Sequence, residues 1–460
     1  VNTSNTPQDM SSTTRREFLR TGSAAVAVGT LASRLNIARA AHVAGDDTIR
    51  IALIGCGGRG TQAASQALNT PGNVKLVAVA DAFEDRLQAC LGQLTKSPAD
   101  SNDDKAHQGL GEKVDVSKER QFVGFDAYQQ AIDSGVDMVI LTTPPGFRPL
   151  HFDAAVRAGK HVFMEKPVAV DAPGVRSVLA AAEEAKKKSL CVGVGFQFRH
   201  DSLYRDTIKR LHEGAIGDIL QTQAYFNAAG VWVRDRASLE KAAGRELSEM
   251  EYQMRNWYYF NWLCGDHIVE QAIHYHDVSN WLKGDYPDKA QGMGGRQVRK
   301  GKDTGQIFDH HMVEFTYPDG TQMISQCRHI PNCWNHVGIQ AIGSNGTADI
   351  GKGRILGEEK WRYRGPTPNP YQVEHDELFA AIRSGTPYNN AENGAKSTMT
   401  VILGRMATYS GKVVKLEEAL ASSQAFADPG SYHSFEDQAP VLPDSEGNYP
   451  IAVPGVTQVL

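Results

Sequence analysis

Ile51-Ala52-Leu53-Ile54 runs directly into Gly55-Cys56-Gly57-Gly58-Arg59-Gly60, and the residues from Thr61 to Leu68 continue with the period of a helix. An apolar strand, a turn with glycine at its first, third and sixth positions, and a helix make up the phosphate-binding unit of a dinucleotide domain. The first glycine permits the tight turn, the second lets the backbone approach a pyrophosphate, and the third lets helix and strand pack closely. The helix N-terminus then offers free N–H groups and the positive end of its dipole. A tight turn that binds nothing could carry the same glycines, and the residues that follow decide between the two. A second apolar strand, residues 74–80, ends in Asp81, about 20 residues past the last glycine, where a carboxylate reaches the ribose 2′-hydroxyl. Gly55, Gly57, Gly58, Arg59, Gly60 and Asp81 are therefore expected around the cofactor. A carboxylate at Asp81 repels a 2′-phosphate and no arginine follows before Arg86, so NAD is expected rather than NADP.

Strand–helix units continue beyond Asp81. Residues 85–94 are helical, and the polar stretch 95–119, with no sustained apolar period, reads as a surface loop. The strand at 136–141 ends at Thr142-Thr143-Pro144-Pro145. There the chain should pass beside the nicotinamide ribose, which makes Thr143, Pro144 and Pro145 cofactor contacts. A helix at 151–158, a strand at 161–164, a helix at 172–187 and a strand at 190–194 complete an open, parallel, doubly wound sheet. Past Phe196 the pattern changes to alternating runs at 217–226, 311–317, 322–328 and 336–342. These suit a mostly antiparallel sheet. Tyr317-Pro318-Asp319-Gly320 and Gly343-Ser344-Asn345-Gly346 mark turns, and helices at 203–213, 267–282 and 372–384 flank the sheet. From Asp428 the chain is Pro-rich and aperiodic, and should wrap over the surface or over a neighbouring subunit. The expected architecture is α/β: a Rossmann domain at 47–195, a second α/β domain with a large, open, mostly antiparallel sheet at 196–412, and an extended tail at 413–460.

The chain has 460 residues, 41% hydrophobic and 22% charged, with a net charge of −5. That is ordinary globular composition. The longest basic block, Lys186-Lys187-Lys188, falls at the end of a helical pattern, where lysines complement the helix dipole, so nucleic acid is not an expected partner. Six cysteines show no metal-site spacing; Cys327 and Cys333 are the only close pair, and nothing demands a disulfide. Residues 1–46 read as a targeting segment and linker. Thr14-Arg15-Arg16-Glu17-Phe18-Leu19-Arg20 resembles the bacterial twin-arginine export signal; a short apolar stretch at 23–32 and the cleavage-like Ala38-Arg39-Ala40 follow. The apolar stretch is too short to anchor the mature protein in a membrane. A periplasmic or otherwise exported protein is expected. Free nicotinamide nucleotide is scarce there, so such a protein should hold its cofactor tightly and regenerate it within its own cycle.

Val162-Phe163-Met164-Glu165-Lys166-Pro167, the Thr142-Thr143-Pro144-Pro145 stretch, Val194-Gly195-Phe196-Gln197-Phe198-Arg199-His200, Gly214-Ala215-Ile216-Gly217-Asp218-Ile219 and Ile273-His274-x-x-Asp277-x-x-x-Trp281-Leu282 together resemble the Gfo/Idh/MocA family of sugar-type oxidoreductases. The likeness runs from about Ile49 to about Gly411. It implies an open sheet that serves as an oligomer interface, hence a homodimer or homotetramer. It implies Glu165 and Lys166 beside the cofactor, Lys166 as an active-site residue, and a cis Pro167. A lysine past the carboxyl end of a parallel strand also sits where such sheets bind ligands, and its ammonium can stabilise developing alkoxide charge.

The segment His267-Ile268-Val269-Glu270-Gln271-Ala272-Ile273-His274-Tyr275-His276-Asp277 places 267, 270, 274 and 277 at steps of three and four, on one face of a continuous helix. The family pattern is Asp-x-x-x-His, with the histidine as general base; here Glu270 replaces the aspartate and Ala272 the usual glycine. His274 is the expected base, and Glu270 can reach His274, substrate or a metal. Asp277 is expected to orient or cap. His267, Glu270 and His274 could hold a divalent ion, but sugar hydroxyls engage the same residue types, and no metal is expected. The run Trp257-Tyr258-Tyr259-Phe260-Asn261-Trp262 suits stacking on a carbohydrate ring or ordinary packing equally. Expected substrate contacts are Arg199, Tyr204, Trp257, His267 and Asp277. His310-His311 reads as surface or cleft lining. The function expected is NAD-dependent oxidation of a secondary alcohol on a sugar, polyol or glycoside. A glycosidase or lyase acting by transient oxidation is the alternative, and a non-catalytic sugar sensor is the third.

Overall fold

A computed structural model describes residues 47–96 and 110–460; the twin-arginine-like segment, its cleavage motif and most of the polar insertion lie outside the described residues. The first sheet is built from β1 (Ile49–Ile54), β2 (Val74–Asp81), β3 (Gln121–Val123), β4 (Met138–Leu141), β5 (His161–Met164) and β6 (Val192–Val194), in the order β3-β2-β1-β4-β5-β6. All five pairings are parallel. Its central strands are apolar on both faces because helices cover both: every residue of β4 is buried, and in β1 only Arg50 is exposed. The strand order reverses between β1 and β4, and the crevice outside the carboxyl ends of those two strands is where doubly wound sheets take their ligands.

The second sheet has nine strands: β7 (Ile219–Ala228), β8 (Lys289–Gly295), β9 (His310–Thr316), β10 (Gln322–His329), β11 (His336–Gly343), β12 (Gly346–Asp349), β13 (Arg354–Leu356), β14 (Lys360–Arg362) and β15 (Val414–Lys415), ordered β14-β13-β12-β11-β7-β10-β9-β8-β15. Only β7 and β10 pair in parallel. Burial alternates along β10: Met323, Ser325, Cys327 and His329 point inward, while Gln322, Ile324, Gln326 and Arg328 are half-exposed. The inner face packs on helices; Thr222 Oγ1 meets Ser279 Oγ at 2.6 Å, and Ser279 Oγ meets the Tyr317 hydroxyl at 3.0 Å. Both sheets belong to one compact unit, Ile49–Leu460. All six cysteines are unpaired, Cys327 buried and Cys333 exposed. Among the described residues no helix is long and apolar enough to cross a membrane.

Two departures from the sequence reading have physical causes. The helix expected over 267–282 is two helices, His267–Glu270 and Ile273–Lys283, broken at Gln271, whose φ and ψ are −107° and −46°. The 20-residue helix Ala391–Ser410 was not anticipated; every residue from Ser397 to Ser410 is buried, so the helix lacks the polar stripe that makes a helical period visible. Of the two courses expected for the tail, the structure has it over this chain's own surface: Phe435 packs on Phe83 at 4.9 Å, Tyr432 on Trp262 at 5.8 Å and Tyr449 on Phe260 at 4.9 Å.

Several histidines enter the core uncharged. Burial lowers His151 to about 3, assisted by the Arg148 charge, and lowers His267 and His276 to about 4; His375 is pushed well down by burial and by Arg59. Unfolded, each titrates near 6.5, so below about that pH the unfolded chain binds protons that the folded chain does not. Stability is therefore fully present above pH 7 and falls with acid, by up to about 1.4 kcal/mol per pH unit for each such histidine. The melting temperature should be flat above pH 7 and decline steadily from pH 6.5 to 4.5. Calorimetry across that range, with proton uptake on unfolding read from buffer dependence, checks this.

Candidate functional site

At the end of β1 the chain turns on Gly55, whose φ of 99° is left-handed; a Cβ there would stand 2.5 Å from the Thr143 nitrogen. Gly60 is tighter still, since a Cβ would lie 1.9 Å from the Gly55 carbonyl oxygen. Gly57 and Gly58, by contrast, face open space, and the helix Gly58–Leu68 has no side-chain N-cap, so its first N–H groups are free for an anion. Asp81 is fixed by the same turn: its carboxylate accepts from the Cys56 amide at 2.6 Å and the Phe83 amide at 2.9 Å. Burial raises its pKa, and those two amides oppose the shift.

A cavity of about 710 Å³ opens from this turn along the switch point. Gly55, Gly57, Gly58, Arg59, Gly60, Asp81, Thr143, Pro144, Pro145, Glu165 and Lys166 all line it, and so do Glu270, His274 and Trp257. One space thus joins the nucleotide turn to the residues proposed for chemistry. Arg59 is not left free for phosphate: its guanidinium donates to Glu165 at 2.6 Å, to Gln66 at 2.8 Å and to Glu374 at 3.4 Å.

Lys166 precedes a cis peptide to Pro167, and its Nζ donates to the Glu270 carbonyl at 2.7 Å and to Glu270 Oε1 at 3.0 Å. His274, on the next helix, is half-buried and lines the cavity, with its Nδ1 turned inward and unbonded. Burial first, then the charges of Lys166 and Arg59, push its pKa well below the usual imidazole range. A neutral imidazole on the cavity wall, in the same cavity as an ammonium held by a carboxylate, can accept a hydroxyl proton while the ammonium steadies the oxygen.

Four of the expected substrate contacts lie elsewhere. Because the helix breaks at Gln271, His267 does not share a face with His274. It is fully buried, its Nδ1 donating to Asp266 Oδ1 at 2.8 Å, and it does not line the cavity. Asp277 is buried in a two-pronged ion pair with Arg199 at 2.8 and 2.9 Å and accepts from Ser397 at 2.7 Å. The pair holds helices together and leaves neither partner in the cavity. Tyr204 is buried against Phe198, ring on ring at 4.4 Å. The metal reading changes for the same reason. His267, Glu270 and His274 do not gather; Asp266, His267 and His311 do, with ligand atoms within 4.8 Å of one another. Those atoms already bond each other: Asp266 accepts from His267 and from His311 Nε2, and also from the Tyr409 hydroxyl and the Phe308 amide. These donors fix Asp266 at φ 81° and ψ 158°, a conformation foreign to residues with a Cβ. His311 is buried, and the half-buried His310 bonds Asp309 at 2.7 Å.

Other cavity residues carried no motif. Trp232 stands edge-on to Trp257 at 6.0 Å, Arg234 lies over Trp232 at 5.2 Å, and Gln271 lines the wall between Glu270 and His274. Trp232 and Arg234 sit in a loop after β7, and Gln271 at the helix break. Their only visible sign was an aromatic-rich stretch whose role stayed open.

Residues 49–196, which hold the glycine turn and Asp81, match the model of the Gfo/Idh/MocA oxidoreductase family, NAD-binding Rossmann fold. An inositol 2-dehydrogenase of Rhizobium meliloti is 30% identical over 172 residues, 37% of this chain and 43% of that protein. The chain thus spans less than half the length of this curated relative. Two solved structures share the fold over most of the chain. An aldose-aldose oxidoreductase from Caulobacter crescentus complexed with glycerol has a TM-score of 0.60 at 18% identity, covering 80% of this chain and 99% of that one. A scyllo-inositol dehydrogenase from Lactobacillus casei with bound NAD(H) and scyllo-inositol has a TM-score of 0.58 at 21% identity, covering 81% and 100%.

Gly60→Ala should abolish NADH binding and lower the melting temperature, because the added methyl meets backbone and cannot be relieved by a side-chain shift. Gly92→Ala, a helical glycine with nothing within 4 Å of the added carbon, is the control; it should raise stability by about 0.5–1 kcal/mol. Fluorescence titration with NADH and thermal melts measure both.

Proposed function

We propose that the chain is an exported, NAD-dependent oxidoreductase that oxidises a secondary alcohol of a sugar, polyol or glycoside and keeps its cofactor bound between turnovers. One observation carries the reading: a neutral, half-buried His274 lines the same cavity as Lys166 and the dinucleotide turn. His274 takes the hydroxyl proton, and the Lys166 ammonium, oriented by Glu270, donates to the oxygen as charge develops there. Bound NAD supplies the acceptor for the hydride that leaves the carbinol carbon. The aromatic wall of Trp232 and Trp257 suits a sugar or polyol ring, and the relatives are named for inositols and aldoses.

Retention of the cofactor has its own support. Pro429 lines the cavity, and Phe435 stacks on Phe83, two residues beyond Asp81, with the Arg255 guanidinium 4.1 Å from the same ring. The tail therefore packs against the wall beside the acid expected to hold the ribose. Export rests on the Thr14–Arg20 motif.

Protein purified without added nucleotide, then denatured, should release about one NAD(H) per chain; empty protein that also fails to bind added NAD would sink the proposal. Phe435→Ala should lose NAD faster on dialysis while staying folded. Lys166→Ala and His274→Asn should each cut turnover by at least about 100-fold at unchanged NAD content. Because the His274 pKa is depressed, the acid limb of kcat/KM should fall below pH 6.5, and an acid limb above pH 7 would exclude His274 as the base. Release of an aglycone without net oxidised product, in the same assays, would redirect the chemistry to transient oxidation.

A further inference from the structure

Gln271 interrupts the two helices that carry the reacting groups, and it is held from behind by a chain of hydrogen bonds that the reaction itself does not use. His329, buried at the end of β10, faces two partners: Arg299 Nη2 lies 2.8 Å from its Nδ1, and Gln271 Oε1 lies 2.9 Å from its Nε2. A guanidinium can only donate. Nδ1 must therefore carry the lone pair and Nε2 the proton, and that proton is donated to Gln271. Burial and the Arg299 guanidinium beside it press the His329 pKa far below its ordinary value, which keeps the ring in this neutral form. Arg299 is itself anchored: its amide donates to Asp309 at 3.0 Å, its Nη1 donates to the Phe308 carbonyl, and its guanidinium lies 5.2 Å from the Tyr259 ring centre.

The relay fixes which end of the carboxamide is which. Oxygen faces His329, so the amide nitrogen faces away from it, on a residue that lines the cavity between Glu270 and His274. That nitrogen has no hydrogen bond among the described residues, and Gln271 is only half-buried. We propose that Gln271 is a substrate-reading residue: its two N–H groups bind an acceptor oxygen on the ring carbon next to the one oxidised, with His329 and Arg299 as positioning residues. The ligand class is a polyol or sugar with vicinal oxygens, and a deoxy analogue lacking the flanking oxygen is discriminated against, since it leaves oriented donors unpaired. The inference rests on the sugar or polyol reading above.

The test is calorimetric titration of the NAD-loaded protein with myo-inositol, scyllo-inositol and D-glucose. Gln271→Leu should weaken binding by about tenfold with NAD content unchanged, and for a compound that is turned over it should raise KM more than it lowers kcat. His329→Phe should match it, and the double variant should be no weaker than either, because the two act as a unit. In ¹⁵N spectra, wild-type His329 should be the Nε2–H tautomer, a readout that survives even if His329→Phe misfolds. Unchanged affinity in Gln271→Leu, or an Nδ1–H tautomer at His329, would overturn the inference alone. Failure of wild type to bind any of the three compounds would remove the sugar and polyol reading and the inference together.

Discussion

Everything at the ligand face depends on how closely Gly60 approaches the Gly55 carbonyl. Thr142 Oγ1 donates to that same carbonyl at 2.6 Å, so the turn after β1 and the turn after β4 are bound to one oxygen. With no side chain between them, the helix Gly58–Leu68 starts directly over the strand ends and aims its free N–H groups along the crevice. Asp81 is held against the same turn by the Cys56 amide. The turn, the acid and the Thr143-Pro144-Pro145 segment are thus one rigid assembly, and the cavity's shape follows from a single contact between backbones.

The nucleotide half was legible because its rules are local. Glycine spacing, a strand before it and an acid after it need no knowledge of tertiary contacts, and β1, β2, β5 and the helix Ala172–Lys187 fall where the apolar pattern puts them. In the second half, legibility extended only to side chains near the end of their own strand or helix, such as Lys166 and His274, which line the cavity. His267, Asp277, Arg199 and Tyr204 were misplaced for one reason: polar residues at helical spacing were read as facing a ligand, whereas they pair with each other or with buried neighbours. Burial converts such residues into core hydrogen bonds, and a sequence does not reveal burial of a polar group. The helix Ala391–Ser410 was invisible for the complementary reason, being surrounded on all sides.

The break at Gln271 divides two kinds of electrostatics. On one side Asp266 gathers His267, His311, Tyr409 and a backbone amide into a closed set with no exposure to the cavity. On the other, Lys166, Glu270 and His274 keep one another polarised but unsaturated, and an imidazole nitrogen is left without a partner. Saturated bonds fix the strained Asp266 backbone from which the helix His267–Glu270 starts, whereas Lys166, Glu270 and His274 keep their polar groups on the cavity wall.

The tail completes the cavity wall from the far end of the chain. Pro429, Tyr432 and Phe435 follow in the chain every strand that borders the cavity; Pro429 lines the cavity, Phe435 packs on Phe83 and Tyr432 on Trp262. A chain ending before Asp428 would lack Pro429 on the cavity wall and would leave Phe83 without its stacked partner.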